Sequence, residues 1–182
     1  MTTANTGEPA QDVPGAHTAV ASLDGQMLLT LGAPMTGKDR FVERLLTRGT
    51  AANRDTLHVA ATRGYDRLAR SLPDRTLVVD CSPGPVTTSG RVADVGTPAD
   101  LTGIGMPISR FVASTGPRPI VTLDSISTLL AYSNASAVFR FLAVLAAQLR
   151  QVNGVGVFLL ERGAHDQQTV RTFQQLFDGR VD

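Results

Sequence analysis

An apolar run that stops at a glycine-rich loop and resumes as a helical pattern constrains this chain more than any other feature. Residues 27–31 read MLLTL, which is typical of a buried β-strand. The run breaks at residues 32–34, and Gly37 and Lys38 follow before apolar residues recur at helical spacing from Phe41. The stretch therefore predicts a strand, a tight loop and a helix in immediate succession.

The spacing of the glycines and the lysine matches a phosphate-binding P-loop at every position except the last. A strand that turns through such a loop into a helix directs several backbone N–H groups into one concavity, and the helix dipole adds about half a positive charge there. A chance Gly–Lys pair in an ordinary loop is the alternative, but the order of strand, glycines and helix favours the motif. The expected phosphate-binding residues are Gly32, Ala33, Pro34, Met35, Thr36, Gly37, Lys38 and Asp39.

Lys38 is the only lysine among the 17 basic residues of the chain, and the other 16 are arginines. The chain therefore uses arginine almost wherever it carries a positive charge. A compact ammonium on a flexible stem suits a phosphate loop, where a planar guanidinium fits poorly. The exception at this one position strengthens the phosphate-binding prediction.

The length and composition of the chain limit the classes of protein to which it can belong. A chain of 182 residues, 42% hydrophobic, is expected to form one domain at residues 21–182, after a disordered tail at residues 1–20. A net charge of +1 and an aromatic content of 5% argue against binding to nucleic acid or to a membrane. The single cysteine, Cys81, and the lack of a signal-like start predict a protein of the reducing cytoplasm.

Apolar runs and helical patterns alternate along the chain, which predicts an α/β fold with a mostly parallel sheet and helices on both faces. We expect strands at residues 27–31, 57–61, 76–80, 120–123 and 156–160, and helices at residues 38–48, 65–71, 107–114, 135–152 and 166–177. Residues 82–106, with five glycines and three prolines, are expected to be irregular, and residues 178–182 are a candidate for a further strand.

Asp124 is the second candidate of the chain, because it directly follows the apolar strand PIVTL. Ligands of parallel sheets bind beyond the carboxyl ends of the strands, so we expect Asp124 and Glu161 to converge with the loop at residues 32–39 on one edge. In P-loop proteins an acid at this place holds the Mg²⁺ that bridges the phosphates of the nucleotide. A turn or cap role beside Ser125 is the alternative.

The stretch TLDSISTLL, at residues 122–130, together with the loop motif resembles the KaiC-like branch of the RecA superfamily of P-loop ATPases. The similarity extends to residues 100–111, 132–150 and 164–181, and it points to small archaeal KaiC/GvpD-type proteins over about residues 25–182. The resemblance implies a RecA-like three-layer sandwich that binds ATP and Mg²⁺. It also implies Lys38 as the lysine of the Walker A motif and Asp124 as the acid of the Walker B motif.

Three departures from this family pattern bear on hydrolysis. Asp39 stands where active P-loops have Ser or Thr, and although its carboxylate could bind Mg²⁺, its negative charge lies beside the phosphates. Met35 stands where many members have glycine. KaiC-like ATPases carry glutamates after their second strand to activate the attacking water, whereas residues 60–63 of this chain read AATR. The departures favour nucleotide binding over efficient hydrolysis.

Two pairs of residues near the last predicted strand are further candidates. Glu161 could sense the terminal phosphate and Arg162 could act across a subunit interface, but a solvated pair at a strand end is the favoured interpretation. His165 and Asp166 suggest a base–acid pair, with a cluster at the start of a helix as the favoured alternative.

The remaining candidates are expected to have structural roles. His17 and His58 do not have the spacing of metal ligands, and Cys81 is expected to be a small core residue. Ser125 has no base near it in the sequence, which argues against nucleophilic catalysis.

Three hypotheses of function follow. The first is a Mg-nucleotide-binding regulatory or signalling protein, at most a weak or partner-dependent ATPase, that acts as a homo-oligomer or with a protein partner. The second is a nucleotide-free interaction module whose P-loop has degenerated, with residues 82–106 as its binding loop. The third is an active ATPase of the recombinase or clock type.

Overall fold

The computed structural model of the chain describes residues 20–32, 37–84 and 89–181. A short 3₁₀ turn, Val20–Leu23, precedes the first strand. The strands are β1 (Met27–Gly32), β2 (Thr56–Ala60), β3 (Leu77–Asp80), β4 (Val92–Asp94), β5 (Ile120–Leu123), β6 (Val155–Glu161) and β7 (Gly179–Val181). The helices are α1 (Lys38–Ala51), α2 (Tyr65–Leu68), α3 (Leu101–Ser114), α4 (Ile126–Tyr132), α5 (Ala135–Gln151) and α6 (Gln167–Gln174).

The strands form one seven-stranded sheet in the order β4-β3-β2-β5-β6-β1-β7. Every neighbouring pair is parallel, so all carboxyl ends lie along one edge. This sheet confirms the α/β prediction, including the further strand expected after residue 178. The short strand β4 lies inside the segment that the glycines and prolines predicted to be irregular, so the prediction was wrong there.

Helices cover both faces of the sheet, because successive side chains of each strand point to opposite sides. Leu28 packs into a cluster with residues of α1 and α2, whereas its neighbour Leu29 packs into a larger cluster with residues of α3, α4, α5 and α6. Both leucines are at most 1% exposed. The sheet is therefore the middle of three layers, as its unbroken apolar strands predict.

Several helix boundaries differ from the predicted ones, and the structure explains two of them. The first helix was expected to end at residue 48, but α1 continues through Gly49 to Ala51. A Cβ atom at Gly49 would overlap Cδ1 of Ile120, so this glycine allows α1 to approach β5 closely. Similarly, α3 begins at Leu101 rather than Pro107, because the side chain of Asp100 caps it by accepting the N–H of Gly103 (2.8 Å).

Helix α2 ends at Leu68, three residues before its predicted end, and α4 was not predicted as a separate helix. Residues 1–19 of the predicted tail lie outside the described part of the chain. Among the described residues, no helix is both long enough and apolar enough to cross a membrane.

Candidate functional site

The loop between β1 and α1 joins the carboxyl end of a strand inside the sheet to the start of a helix, as the sequence predicts. β1 ends at Gly32, and Gly37 immediately precedes α1 with a φ of 86°, in the left-handed region that favours glycine. The carbonyl of Gly37 accepts the N–H of Phe41 (3.1 Å) and so closes the first turn. Glycine has no side chain that could cap the first N–H groups of α1, which leaves them suited to an external acceptor. Ala33, Pro34, Met35 and Thr36 lie outside the described residues.

Asp39, the last position of the motif, forms an ion pair with Arg63. The distance from Arg63 Nη2 to Asp39 Oδ2 is 3.0 Å, and the two side chains are 39% and 55% exposed. Asp39 belongs to the first turn of α1, whereas Arg63 belongs to the loop after β2. The pair therefore connects the predicted phosphate loop to the segment where the family resemblance implies catalytic glutamates.

The carboxylate of Asp124 is held by the same loop after β2. Its Oδ1 accepts the backbone N–H of Ala61 (2.9 Å) and its Oδ2 accepts the backbone N–H of Thr62 (3.2 Å). Burial raises the pKa of Asp124 to about 6, against the opposing effects of these two hydrogen bonds and of the positive charge of Arg63. The cap of α4 is Ser125, which accepts the N–H of Thr128, so Asp124 does not have the cap role that was its alternative.

The two predicted acids, Asp39 and Asp124, line the same small cavity of about 10 Å³. A cavity of this volume has room for about one water molecule. Its polar lining residues are Asp39, Glu43, His58, Arg63 and Asp124. The sequence predicted Asp39 and Asp124 in one site, but it singled out neither Glu43 nor Arg63 as a site residue.

The donor atoms around this cavity do not fit Mg²⁺ well. Asp39 is already paired with a guanidinium, and both oxygens of Asp124 accept backbone N–H groups. No group of three or more His, Cys, Asp or Glu side chains that could hold a metal ion occurs in residues 20–32, 37–84 or 89–181.

Glu161 lies at the same edge but lines a different cavity. It is paired in register with Gly32, and the N–H of Arg162 donates to the carbonyl of Gly32 (3.1 Å). The predicted convergence of the loop with Glu161 is therefore present at the level of the strands. The side chain of Glu161, however, lines an open cavity of about 710 Å³ with residues of α4 and α6.

Ser127 and His165 form a hydrogen-bonded pair in that second cavity which the sequence analysis did not identify. The distance from His165 Nε2 to Ser127 Oγ is 2.9 Å, and Ser127 Oγ also accepts the N–H of Glu161 (3.0 Å). Asp166 caps α6 by accepting the N–H of Thr169 (2.7 Å), which confirms the helix-start interpretation for Asp166. The only available signal for the pair was that both residues follow ends of neighbouring strands.

His58 and Cys81, which were expected to have structural roles, are both buried in the core. His58 is buried and its Nδ1 lies 2.8 Å from Thr122 Oγ1, and burial lowers its pKa to about 4. Cys81 is a fully buried core residue, as predicted, and burial raises the pKa of its thiol to about 12. His17 lies outside the described residues.

Comparison with known proteins places the chain in a family without establishing an activity. None of the curated proteins is significantly similar to the chain. One family model, described as a family of unknown function (DUF7504), matches residues 25–182. These residues include every described element from β1 onwards. The chain therefore belongs to the DUF7504 family.

Proposed function

We propose that this protein binds the phosphate groups of a nucleotide, with ATP as the expected ligand, in the loop between β1 and α1. The observation that carries the proposal is the left-handed turn at Gly37, directly before Lys38 at the carboxyl end of β1. This turn starts a 14-residue helix whose first N–H groups and dipole favour an anion. The lysine that a phosphate loop requires stands at the first position of the same helix.

The strand order supports the finer proposal of a RecA-like fold of the KaiC/GvpD type. Strand β1, which precedes the predicted phosphate loop, and strand β5, which precedes Asp124, are separated in the sheet by β6. An all-parallel sheet of this kind, with helices on both faces, offers its ligand site at the carboxyl edge. Gly37, Asp39 and Asp124 belong to that edge.

The surroundings of Asp124 favour a regulatory or signalling role over efficient hydrolysis. The loop after β2 presents to Asp124 the backbone N–H groups of Ala61 and Thr62 and the cationic side chain of Arg63, and none of these can accept a proton from water. Asp39 is paired with Arg63 rather than available as a general base. We therefore propose weak or partner-dependent ATP hydrolysis.

Calorimetric titration of the protein with ATP tests the proposal, both with and without Mg²⁺. We expect saturable binding in at least one condition and its loss in Lys38→Ala, since Lys38 is the proposed phosphate-binding lysine. Arg40→Ala, two residues further along α1, is the matched control because Arg40 is exposed and lies outside the motif. An absence of binding at millimolar ATP in both conditions would refute the proposal.

The second hypothesis, a nucleotide-free interaction module, is supported by exposed apolar side chains on two packed helices. Met106 on α3 is 50% exposed and Val144 on α5 is 59% exposed, and the two helices contact each other. Thermal unfolding distinguishes the two functions. A nucleotide-binding protein melts at a higher temperature with ATP, whereas a nucleotide-free module has the same melting temperature with and without it, as does its Lys38→Ala variant.

A further inference from the structure

Arg63 contacts one of the two acids at which a divalent cation is expected and shares a cavity with the other. Its Nη2 lies 3.0 Å from Asp39 Oδ2, and its side chain lines the same small cavity as Asp124. These two acids are the residues that the sequence predicts as ligands of Mg²⁺. A guanidinium is therefore already paired with one of these acids.

The positive charge of Arg63 acts on two further polar groups of the cavity, Asp124 and His58. Burial is the main cause of both pKa shifts there; the charge of Arg63 opposes the rise of the pKa of Asp124 and adds to the lowering of the pKa of His58. A divalent ion at this position would have to share Asp39 with a permanent positive charge, and two cations at such a distance repel each other. The oxygens of Asp124 are also committed to the N–H groups of Ala61 and Thr62.

We propose that Arg63 supplies the positive charge for the outer phosphates of the nucleotide, so that this site binds its nucleotide without a divalent metal ion. The inference rests on the proposed nucleotide-binding function. A guanidinium matches the geometry of phosphate oxygens with two parallel N–H donors, and it stays charged at every relevant pH. The side chain is 39% exposed, so part of it is open to a ligand.

Asp39 then acts as the partner of Arg63 in the absence of nucleotide. The carboxylate of Asp39 holds the guanidinium of Arg63 beside the first turn of α1, with 3.0 Å between Oδ2 and Nη2. The predicted phosphate position lies at the start of the same helix. When a phosphate binds, its oxygens compete with the carboxylate for the N–H donors of Arg63. An exposed ion pair of this kind contributes little to stability, so the exchange costs little.

Calorimetric titration with ATP, in excess EDTA and in excess Mg²⁺, tests the inference. We expect wild-type dissociation constants that agree within about threefold between the two conditions, since a fixed charge-assisted contact replaces the metal bridge. We expect Arg63→Gln to weaken binding in EDTA by roughly tenfold, and Mg²⁺ to recover part of that loss. Arg67→Gln is the matched control, because it removes the same charge from an exposed position four residues away and should leave both constants unchanged.

The outcomes separate this inference from the function on which it rests. Absence of wild-type binding in both conditions would refute nucleotide binding and, with it, the inference. Wild-type binding that requires Mg²⁺, or unchanged EDTA affinity in Arg63→Gln, would overturn the role of Arg63 and leave nucleotide binding intact. Because Arg63 is partly exposed, the variant is expected to fold, and its ligand-free melting temperature checks this.

Discussion

Asp39 and Arg63 form an ion pair that joins the first turn of α1 to the loop after β2, with 3.0 Å between Oδ2 and Nη2. The pair combines two departures from a standard P-loop ATPase: an acid in place of a hydroxyl, and an arginine in the segment where a general base is expected. Each departure alone suggests a damaged site. In the structure the negative charge of Asp39 and the positive charge of Arg63 neutralise each other. The two substitutions therefore form one matched ion pair in the site.

Replacement of the acid in this pair should increase nucleotide affinity. In Asp39→Thr and in Asp39→Asn we expect ATP to bind in EDTA roughly tenfold more tightly than in the wild type, because an anion beside the phosphates is removed and Arg63 is released. Only Asp39→Thr should gain further affinity on addition of Mg²⁺, since a hydroxyl is a metal ligand of active P-loops. Isothermal titration of both variants measures this. Equal affinity of all three proteins would show that Asp39 does not oppose the phosphates.

The stability of the protein should depend on pH through two buried groups with opposite effects. His58 has its pKa lowered to about 4, so its stabilising contribution is present above the unfolded pKa of 6.5 and is lost as the pH falls towards 4. Asp124 has its pKa raised to about 6 from 3.8, so its contribution is present below the unfolded pKa and is lost as the pH rises through 6. Each contribution is worth about 1–3 kcal/mol.

Between pH 4 and 6.5 these two contributions largely cancel in the wild type. In Asp124→Asn only the His58 contribution remains, so the free energy of unfolding should rise with pH by about 1–3 kcal/mol over this range. In His58→Gln it should fall with pH by a similar amount. Urea unfolding at a series of pH values measures the slopes. Parallel pH profiles for wild type and both variants would contradict the assignment.

Gly49 should resist replacement although it lies inside a helix. Alanine at an exposed helix position usually stabilises by about 0.5–1 kcal/mol relative to glycine, but a Cβ here would overlap Cδ1 of Ile120, which is fully buried. We expect Gly49→Ala to lower the free energy of unfolding by about 1 kcal/mol.

The double variant Gly49→Ala with Ile120→Val provides the control for this steric argument. Ile120→Val removes the overlapping Cδ1 atom and alone should cost about 1 kcal/mol. In the Gly49→Ala background it should cost clearly less, because it relieves the overlap. Additive effects of the two substitutions would indicate that Gly49 is needed for another reason.

Cys81 should be unreactive in the folded protein. The residue is 0% exposed, and its thiol has a pKa raised to about 12 by burial, so almost no thiolate is present at neutral pH. Since Cys81 is the single cysteine of the chain, the coloured thiolate released by a chromogenic disulfide reagent reports on Cys81 alone. We expect labelling only at the rate of unfolding, with full labelling in denaturant. Rapid stoichiometric labelling under native conditions would contradict this.

Local patterns predicted the elements near the loop, but packing determined several boundaries. Residues 27–31 and the Asp166 cap were read correctly because their signals are confined to a few neighbouring residues. α3 was predicted too short because Gly103, Gly105 and Pro107 have poor helix propensity. Burial of Ile104 and Ile108 against the sheet outweighs that propensity.

The ion pair of Arg63 and the pair formed by Ser127 and His165 could not be predicted from the sequence. Arg63 is 24 positions from Asp39, and Ser127 is 38 positions from His165, so no local pattern relates the members of either pair. The parallel sheet places the carboxyl ends of the strands that precede these residues along one edge. The sequence indicated which strand ends carry polar residues, but not which side chains meet.

The sequence by itself determined the α/β alternation, the phosphate-loop motif and the two acids at the carboxyl edge, because period and spacing are properties of neighbouring residues. Only the tertiary structure decided what those acids contact. The order of the strands sets β2 beside β5, and the loop after β2 therefore places two N–H groups on Asp124 and a guanidinium on Asp39. Those contacts depend on which strands are neighbours, which is decided by long-range packing and not by local sequence.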